Sequence, residues 1–191
     1  SDEPYFNIQY SDERLSPVAF PGLRDRSVLL FTASKDYHPG LRIGAEMARP
    51  TLKTVVPSTG KAMTFIEQTN KQNVNDHSGP SNLSQMAWAR ALVEADALVD
   101  TRVEGFRERR DAMVDFFDTA GWPGTTYDEV PGGAFYFWLD VTSLSDQLNL
   151  RFVGEVADWL LFNTGLSVCT DKHFAEPDRS PMALIADTID H

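Results

Sequence analysis

The chain contains a single cysteine, Cys169, among 191 residues, so it has no internal disulfide framework and no thiolate cluster for a metal. A lone thiol suits a reducing compartment, and a cytoplasmic protein is expected. No apolar run approaches the roughly 20 residues of a membrane span, and no charged leader precedes an apolar core, so no membrane or secretory segment is expected. Basic residues are scarce as well: 17 Lys and Arg stand against 28 Asp and Glu, a formal net charge of −11. Nucleic acids and anionic membrane surfaces recruit clustered positive charge, so neither is expected as a partner. The excess of acid reads simply as solubility.

What is present is ordinary for a globular chain, 42% hydrophobic and 24% charged, with length for one good core or two small domains. The most informative stretch is Thr32-Ala33-Ser34-Lys35-Asp36-Tyr37-His38-Pro39-Gly40-Leu41-Arg42-Ile43-Gly44. It follows Ser27 to Phe31, an apolar run that predicts a buried strand. A lysine just past the end of such a strand sits on a rigid element in a partly dry setting, which favours the neutral, nucleophilic amine. Pro39-Gly40 then reverses the chain, and Arg42 can point its fork back to hold an anion. A Schiff-base lysine beside a phosphate clamp is what pyridoxal phosphate requires. Taken alone, a Ser-Lys pair is more often a surface lysine in a polar turn.

Upstream, Ser1-Asp2-Glu3-Pro4-Tyr5 places a carboxylate and a phenol three residues apart. A carboxylate near a pyridine nitrogen keeps it protonated, and a phenol can reach the neighbouring ring hydroxyl. Ser34-Lys35 with Pro39-Gly40-Leu41-Arg42-Ile43-Gly44, thirty residues beyond Asp2-Glu3-Xaa-Tyr5, resembles the signature of the class I/II aminotransferases, the fold-type I pyridoxal-phosphate enzymes. The resemblance implies an internal aldimine on Lys35. It further implies pyridine contact from Asp2, ring-oxygen contact from Tyr5, and phosphate contacts from Thr32, Ser34 and Arg42. One departure is spacing: Lys35 and Arg42 lie seven residues apart where family members usually have eight, so the intervening loop is a residue short. The Ser-Asp-Glu motif sits mid-chain in the family, so this chain is expected to correspond to the C-terminal half, with a missing N-terminal half on the same or a separate chain.

Further along, Asn7 to Arg26 reads as an excursion, and Ala45 to Ala48 as a strand ended by Arg49-Pro50. Thr51 to Asn75 is polar and predicts exposure, with one helical turn around Ala62, Phe65 and Ile66. Gly79-Pro80 precedes a helix capped by Ser81 or Asn82, with an apolar stripe at Met86, Ala89, Leu92 and Val93. It resembles the family's helix start whose loop reaches the neighbouring subunit's cofactor, which makes Ser78 the candidate phosphate contact in a homodimer. Asp100 to Ala120 predicts an amphipathic helix with Val103, Phe106, Met113, Phe116 and Phe117 on one side, stopped by Gly121. Pro131 to Asp140 predicts a strand whose aromatics form core. Leu150 to Leu161 predicts a helix ended by Gly165, and Leu166 to Cys169 a short strand. Met182 to Ala186 resembles the family's substrate-carboxylate strand, but Met182 stands in the arginine's place, leaving Arg179 as the substrate candidate.

The expected architecture is α/β, fold-type I: residues 1–100 as the C-terminal part of a large, mainly parallel-sheet domain, then 101–191 as an interdomain helix and a small α+β domain. The expected activity is transfer of an amino group between an amino acid or related amine and a keto acid. A lyase, cyclase, decarboxylase or oxidase on the same scaffold is the alternative, since cofactor-binding motifs do not separate these outcomes. A non-catalytic half-fold that serves as a binding module is the third reading.

Overall fold

The computed structural model describes residues 1–11 and 14–170 in full and residues 182–186 as backbone. Two short helical turns open the chain, a 3-10 turn at Pro17–Ala19 and α1 (Pro21–Arg24), each with proline in its first turn, where a missing N–H loses no helical bond. The strand predicted at 27–31 forms as β1 (Val28–Thr32). Residues 1–3 run parallel to it: Leu30 N donates to Ser1 O and Glu3 N to Leu30 O, both at 2.9 Å, around an Asp2–Leu30 bridge. Side chains alternate faces along a strand, so Leu29 is buried while Leu30 is 43% exposed, and the expectation of full burial is corrected accordingly.

After β1 come α2 (Ala33–Asp36), a 3-10 turn at Pro39–Leu41, and β2 (Gly44–Ala48), which pairs antiparallel with β1 from Val28–Ala48 to Thr32–Gly44. A Cβ on Gly44 would stand 2.8 Å from Phe31 O, so glycine is what permits this approach of the two backbones.

The polar 51–75 stretch is more ordered than its composition suggests. It forms a hairpin, β3 (Lys53–Val55) with β4 (Ala62–Thr64), and then the thirteen-residue helix α3 (Phe65–His77). The hairpin turns through Gly60 at φ 66°, whose N–H donates to Val56 O at 2.8 Å. A capping box starts α3: Glu67 N donates to Thr64 Oγ1 at 3.2 Å and Thr64 N to Glu67 Oε2 at 3.1 Å. The Thr64 N–H, and next the Thr64 hydroxyl donating to the same Oε2 at 2.9 Å, favour the carboxylate and hold Glu67 below the usual range.

Ser81 caps α4 (Asn82–Glu94) through Ser84 N, as expected. The expected apolar stripe is not the buried one, since Met86, Leu92 and Val93 are exposed. The inward face is Trp88 with Ala91 and Ala95, spaced i, i+3, i+7, one large ring flanked by small residues. They pack with Ala33, Tyr37, Ile43, Val99 and Val103 into the core of the first of two compact units, Ser1–Val103.

Helix α5 (Asp96–Thr119) covers the predicted 100–120 segment. Phe117 packs inward but its neighbour Phe116 is exposed, because consecutive residues on a helix point about 100° apart. Ala120 N and Gly121 N both donate to Phe116 O, at 3.0 and 2.8 Å, and Gly121 takes φ 63°, closing the helix as expected.

In the second unit, Glu104–His191, β5 (Tyr136–Asp140) is followed by α6 (Thr142–Gln147), α7 (Val153–Thr164), β6 (Cys169–Thr170) and β7 (Met182–Ala186). The sheet order is β5-β7-β6, antiparallel throughout. Phe137 and Leu139 are buried with Val153, Val156 and Leu160, so the aromatic strand builds core, as its sequence suggested. The first turn of α7 is held by Glu155, whose Oε2 accepts from Arg151 N and Phe152 N, and Gly165 caps its C-terminus at φ 79°.

Candidate active site

Strand β1 ends at Thr32, whose extended backbone and Oγ1, accepting from Ser34 N at 3.2 Å, turn the chain into α2. This single helical turn presents Lys35. The lysine is half-buried, and its Nζ lies 5.5 Å from the centroid of the Tyr5 ring, within the range of a cation–π contact. Tyr5 reaches that position because residues 1–3 are paired along β1, and the same pairing sets Asp2 beside Leu30, five residues before the lysine. Asp2 is exposed. Tyr5, Thr32, Ser34 and Lys35 therefore lie at the C-terminal end of β1, and Asp2 is paired beside Leu30 in the middle of that strand.

Arg42 has a local partner. It occupies the left-handed region at φ 48°, ends the 3-10 turn, and donates from Nη1 to Pro39 O at 3.2 Å on the exposed surface. The short loop is tightened by His38 Nδ1, which accepts from Gly40 N at 3.0 Å. Ser78 is exposed at the left-handed C-cap of α3, donating from its N–H to Val74 O at 3.0 Å. Arg179 and the turn at 173–177 lie outside the described residues.

Two groups at this site escaped the sequence reading. Asp36, the residue after Lys35, is buried and accepts from Asn7 Nδ2 at 2.6 Å, while its Oδ1 is buried without a hydrogen-bond partner. Loss of hydration pushes its carboxyl above the usual range, opposed by the Asn7 bond and the charge of Arg14. Tyr37 is also pushed up, by burial first and then by Asp36 and Asp96. Arg102 of α5 donates from Nη1 to Asp36 O at 3.2 Å and also to Tyr37 O, holding the backbone of the lysine turn. The available signal was adjacency: Asp36 follows the lysine, and Asn7 is two residues past the tyrosine.

No family model matches the chain. A bifunctional aspartate aminotransferase and glutamate/aspartate-prephenate aminotransferase of Petunia hybrida is 34% identical over 148 residues, 75% of this chain and 28% of that protein. An asparagine–oxo-acid transaminase of Streptococcus mutans is 23% identical across 99% of this chain and 45% of its own length. The solved aspartate aminotransferase of Rhizobium meliloti superposes with a TM-score of 0.75 at 25% identity, covering 96% of this chain and 43% of that one. The chain belongs to the class I/II aminotransferase family. Its fold is that of the fold-type I pyridoxal-phosphate enzymes, and it spans less than half the length of these aminotransferase relatives. The fold is shared beyond transaminases: a pyridoxal-phosphate-bound C–S lyase of Staphylococcus hominis matches 97% of the chain and 43% of its own length, at a TM-score of 0.72 and 14% identity. Among the described residues no helix is long and apolar enough to cross a membrane, and no His, Cys, Asp and Glu cluster could hold a metal ion.

Proposed function

We propose that this chain provides the lysine-bearing part of a pyridoxal-phosphate-dependent aminotransferase, which moves an amino group between an amino acid or related amine and a keto acid. The observation that carries this reading is the Lys35 amine held 5.5 Å over the Tyr5 ring at the end of β1. The donor set fits the cofactor's chemistry: an amine for its aldehyde, a phenol for its ring oxygen, a carboxylate for its pyridinium and hydroxyls for its phosphate. When bound, pyridoxal phosphate supplies a carbonyl carbon that exchanges amines and a ring that takes up electron density.

In this reading Lys35 would hold the cofactor and its free amine would take a proton from the donor's Cα and deliver one to the acceptor's Cα. Asp2 holds the proton on the pyridine nitrogen, and Tyr5 orients the ring through its hydroxyl. Thr32 and Ser34 hold the phosphate with Arg42, which must first exchange its bond to Pro39 O, a net cost of about 1 kcal/mol. Ser78 from a second copy completes that site in a homodimer, and Arg179 serves the substrate carboxylate. The ring-stacking surface and the remaining phosphate ligands come from the portion of the relatives' length that this chain does not span.

The test is a visible absorption spectrum of the protein with pyridoxal phosphate, for the wild type and for Lys35→Ala, followed by borohydride. A band that borohydride abolishes and that the variant lacks supports the reading. A band of equal size in the variant removes Lys35 from its role. Keto-acid-dependent amino transfer then separates a transaminase from a lyase, which consumes its amino-acid substrate without a keto-acid acceptor.

A further inference from the structure

We propose that Asp36 is a positioning residue: through Asn7 it locks the turn carrying Tyr5 to the turn carrying Lys35, and so sets where the Lys35 amine sits over the Tyr5 ring. The inference rests on the function proposed above. Asn7 and Asp36 are 29 residues apart in sequence, yet their side chains meet at 2.6 Å, a short bond to an ionisable acceptor. Each partner is next to a site residue: Asp36 follows Lys35 directly, and Asn7 stands two residues past Tyr5. Movement of either end is therefore passed to the phenol or to the amine with little chain in between.

The bridge is also oriented. Arg14 Nη1 donates to Asn7 Oδ1 at 3.5 Å, which turns the amide so that its NH2 faces Asp36. The carboxylate is a costly group to place here, since one oxygen has no partner and burial disfavours its charge. An alanine or a valine would fill a purely structural site at lower cost. The turn has separate support from the Arg102 bonds to the carbonyls of Asp36 and Tyr37 and from buried Ala33 and Tyr37. The fold of the turn thus does not depend on the Asp36 side chain, whereas the link to the tyrosine turn does.

The test compares Asp36→Ala, Asp36→Asn and Asn7→Ala in the cofactor-loaded protein, with kcat and KM normalised to bound cofactor and with the visible band recorded across pH. Asparagine keeps an oxygen that accepts from Asn7 and removes only the charge. The expected result is a loss of kcat of about 10- to 100-fold in both alanine variants, with KM for the keto acid within about 3-fold. A displaced pH midpoint of the visible band should accompany that loss, with recovery to within about 3-fold in Asp36→Asn. The Asp36→Ala, Asn7→Ala double variant should be no worse than either single variant, because both break one bond. Normal kcat per bound cofactor in Asp36→Ala overturns the proposal, as does an Asp36→Asn protein as impaired as the alanine one. If Asp36→Ala does not fold, Asn7→Ala alone decides by the same two readouts. A wild-type protein with no borohydride-sensitive band, tested together with the portion of the relatives' length that this chain does not span, overturns the functional reading and this proposal together, whereas a normal band with normal Asp36→Ala turnover overturns this proposal only.

Discussion

Gly44→Ala tests how tightly the lysine turn is clamped by its two strands. Gly44 has no left-handed φ, so alanine is conformationally acceptable there and the effect comes from space alone. The added methyl would stand 2.8 Å from Phe31 O, some half an ångström inside ordinary carbon–oxygen contact, and the obstacle is backbone that cannot rotate away. Relief requires β1 and β2 to separate at the Thr32–Gly44 pair, the point where Thr32 starts to cap the lysine turn. Overpacking of this kind costs about 1–3 kcal/mol. For a chain of this size that is a fall in Tm of roughly 2–12 °C. The displaced Thr32 should also weaken the cofactor, seen as a higher pyridoxal-phosphate concentration at half-maximal visible absorbance. Gly22→Ala is the control, since a Cβ there meets nothing within 4 Å and the helical setting favours alanine. Equal Tm and equal cofactor titration for Gly44→Ala and Gly22→Ala would refute the clamp.

Other substitutions follow from the same geometry. Gly124→Ala should be worse than Gly44→Ala, because its Cβ would lie 2.6 Å from Leu144 N at φ 78°; urea unfolding should show a lower midpoint than for any other glycine variant here. Thr64→Ala removes one half of the α3 capping box and should cost about 1 kcal/mol, measurable by urea unfolding and as local amide-exchange loss confined to the first turn of α3. Asp36 gives a pH signature. Its carboxyl is raised above the ordinary 3.8, so the folded state holds the proton more tightly than the unfolded one, and stability declines as pH rises from 3.8 through the folded value. Asp36→Asn lacks that decline, so the variant should gain on the wild type across the window, measured as the difference in urea midpoint from pH 3.5 to 7; a constant difference refutes it. Leu160→Ala, at 2% exposure in the core of the second unit, should cost about 2–5 kcal/mol by the same assay.

The parts of this protein that were legible in sequence are those whose meaning is carried by contiguous residues. Thr32 to Gly44 spells strand, turn and strand in order, and Asp2 to Tyr5 spells a carboxylate and a phenol at fixed spacing. The twenty-residue excursion at 7–26 does not blur this, since closure entropy grows only with the logarithm of loop length. The ends of such a loop can be held by β1 pairing whatever lies between. Burial on α4 was misread for the opposite reason: Met86, Leu92 and Val93 outscore Ala91 and Ala95 in hydrophobicity, yet the small residues flank the buried Trp88 ring. Which face is inward depends on what the neighbouring elements present, here Ala33, Tyr37 and Ile43 from the lysine turn.

The Asn7–Asp36 bond belongs to the same class of unreadable facts, because adjacency to Tyr5 and Lys35 says nothing of a contact between the two residues until β1 pairing sets the two turns side by side. Its position nonetheless follows from the motifs that were readable. If Asp2 and Tyr5 are to reach the edge of one ring and Lys35 its reactive carbon, the turns carrying them must be held to within about 0.5 Å, and the backbone bonds at Leu30 reach only as far as Glu3, at the start of the Tyr5 turn. A bond from a side chain beyond Tyr5 to one beyond Lys35 adds that hold. Asn7 and Asp36 are that pair.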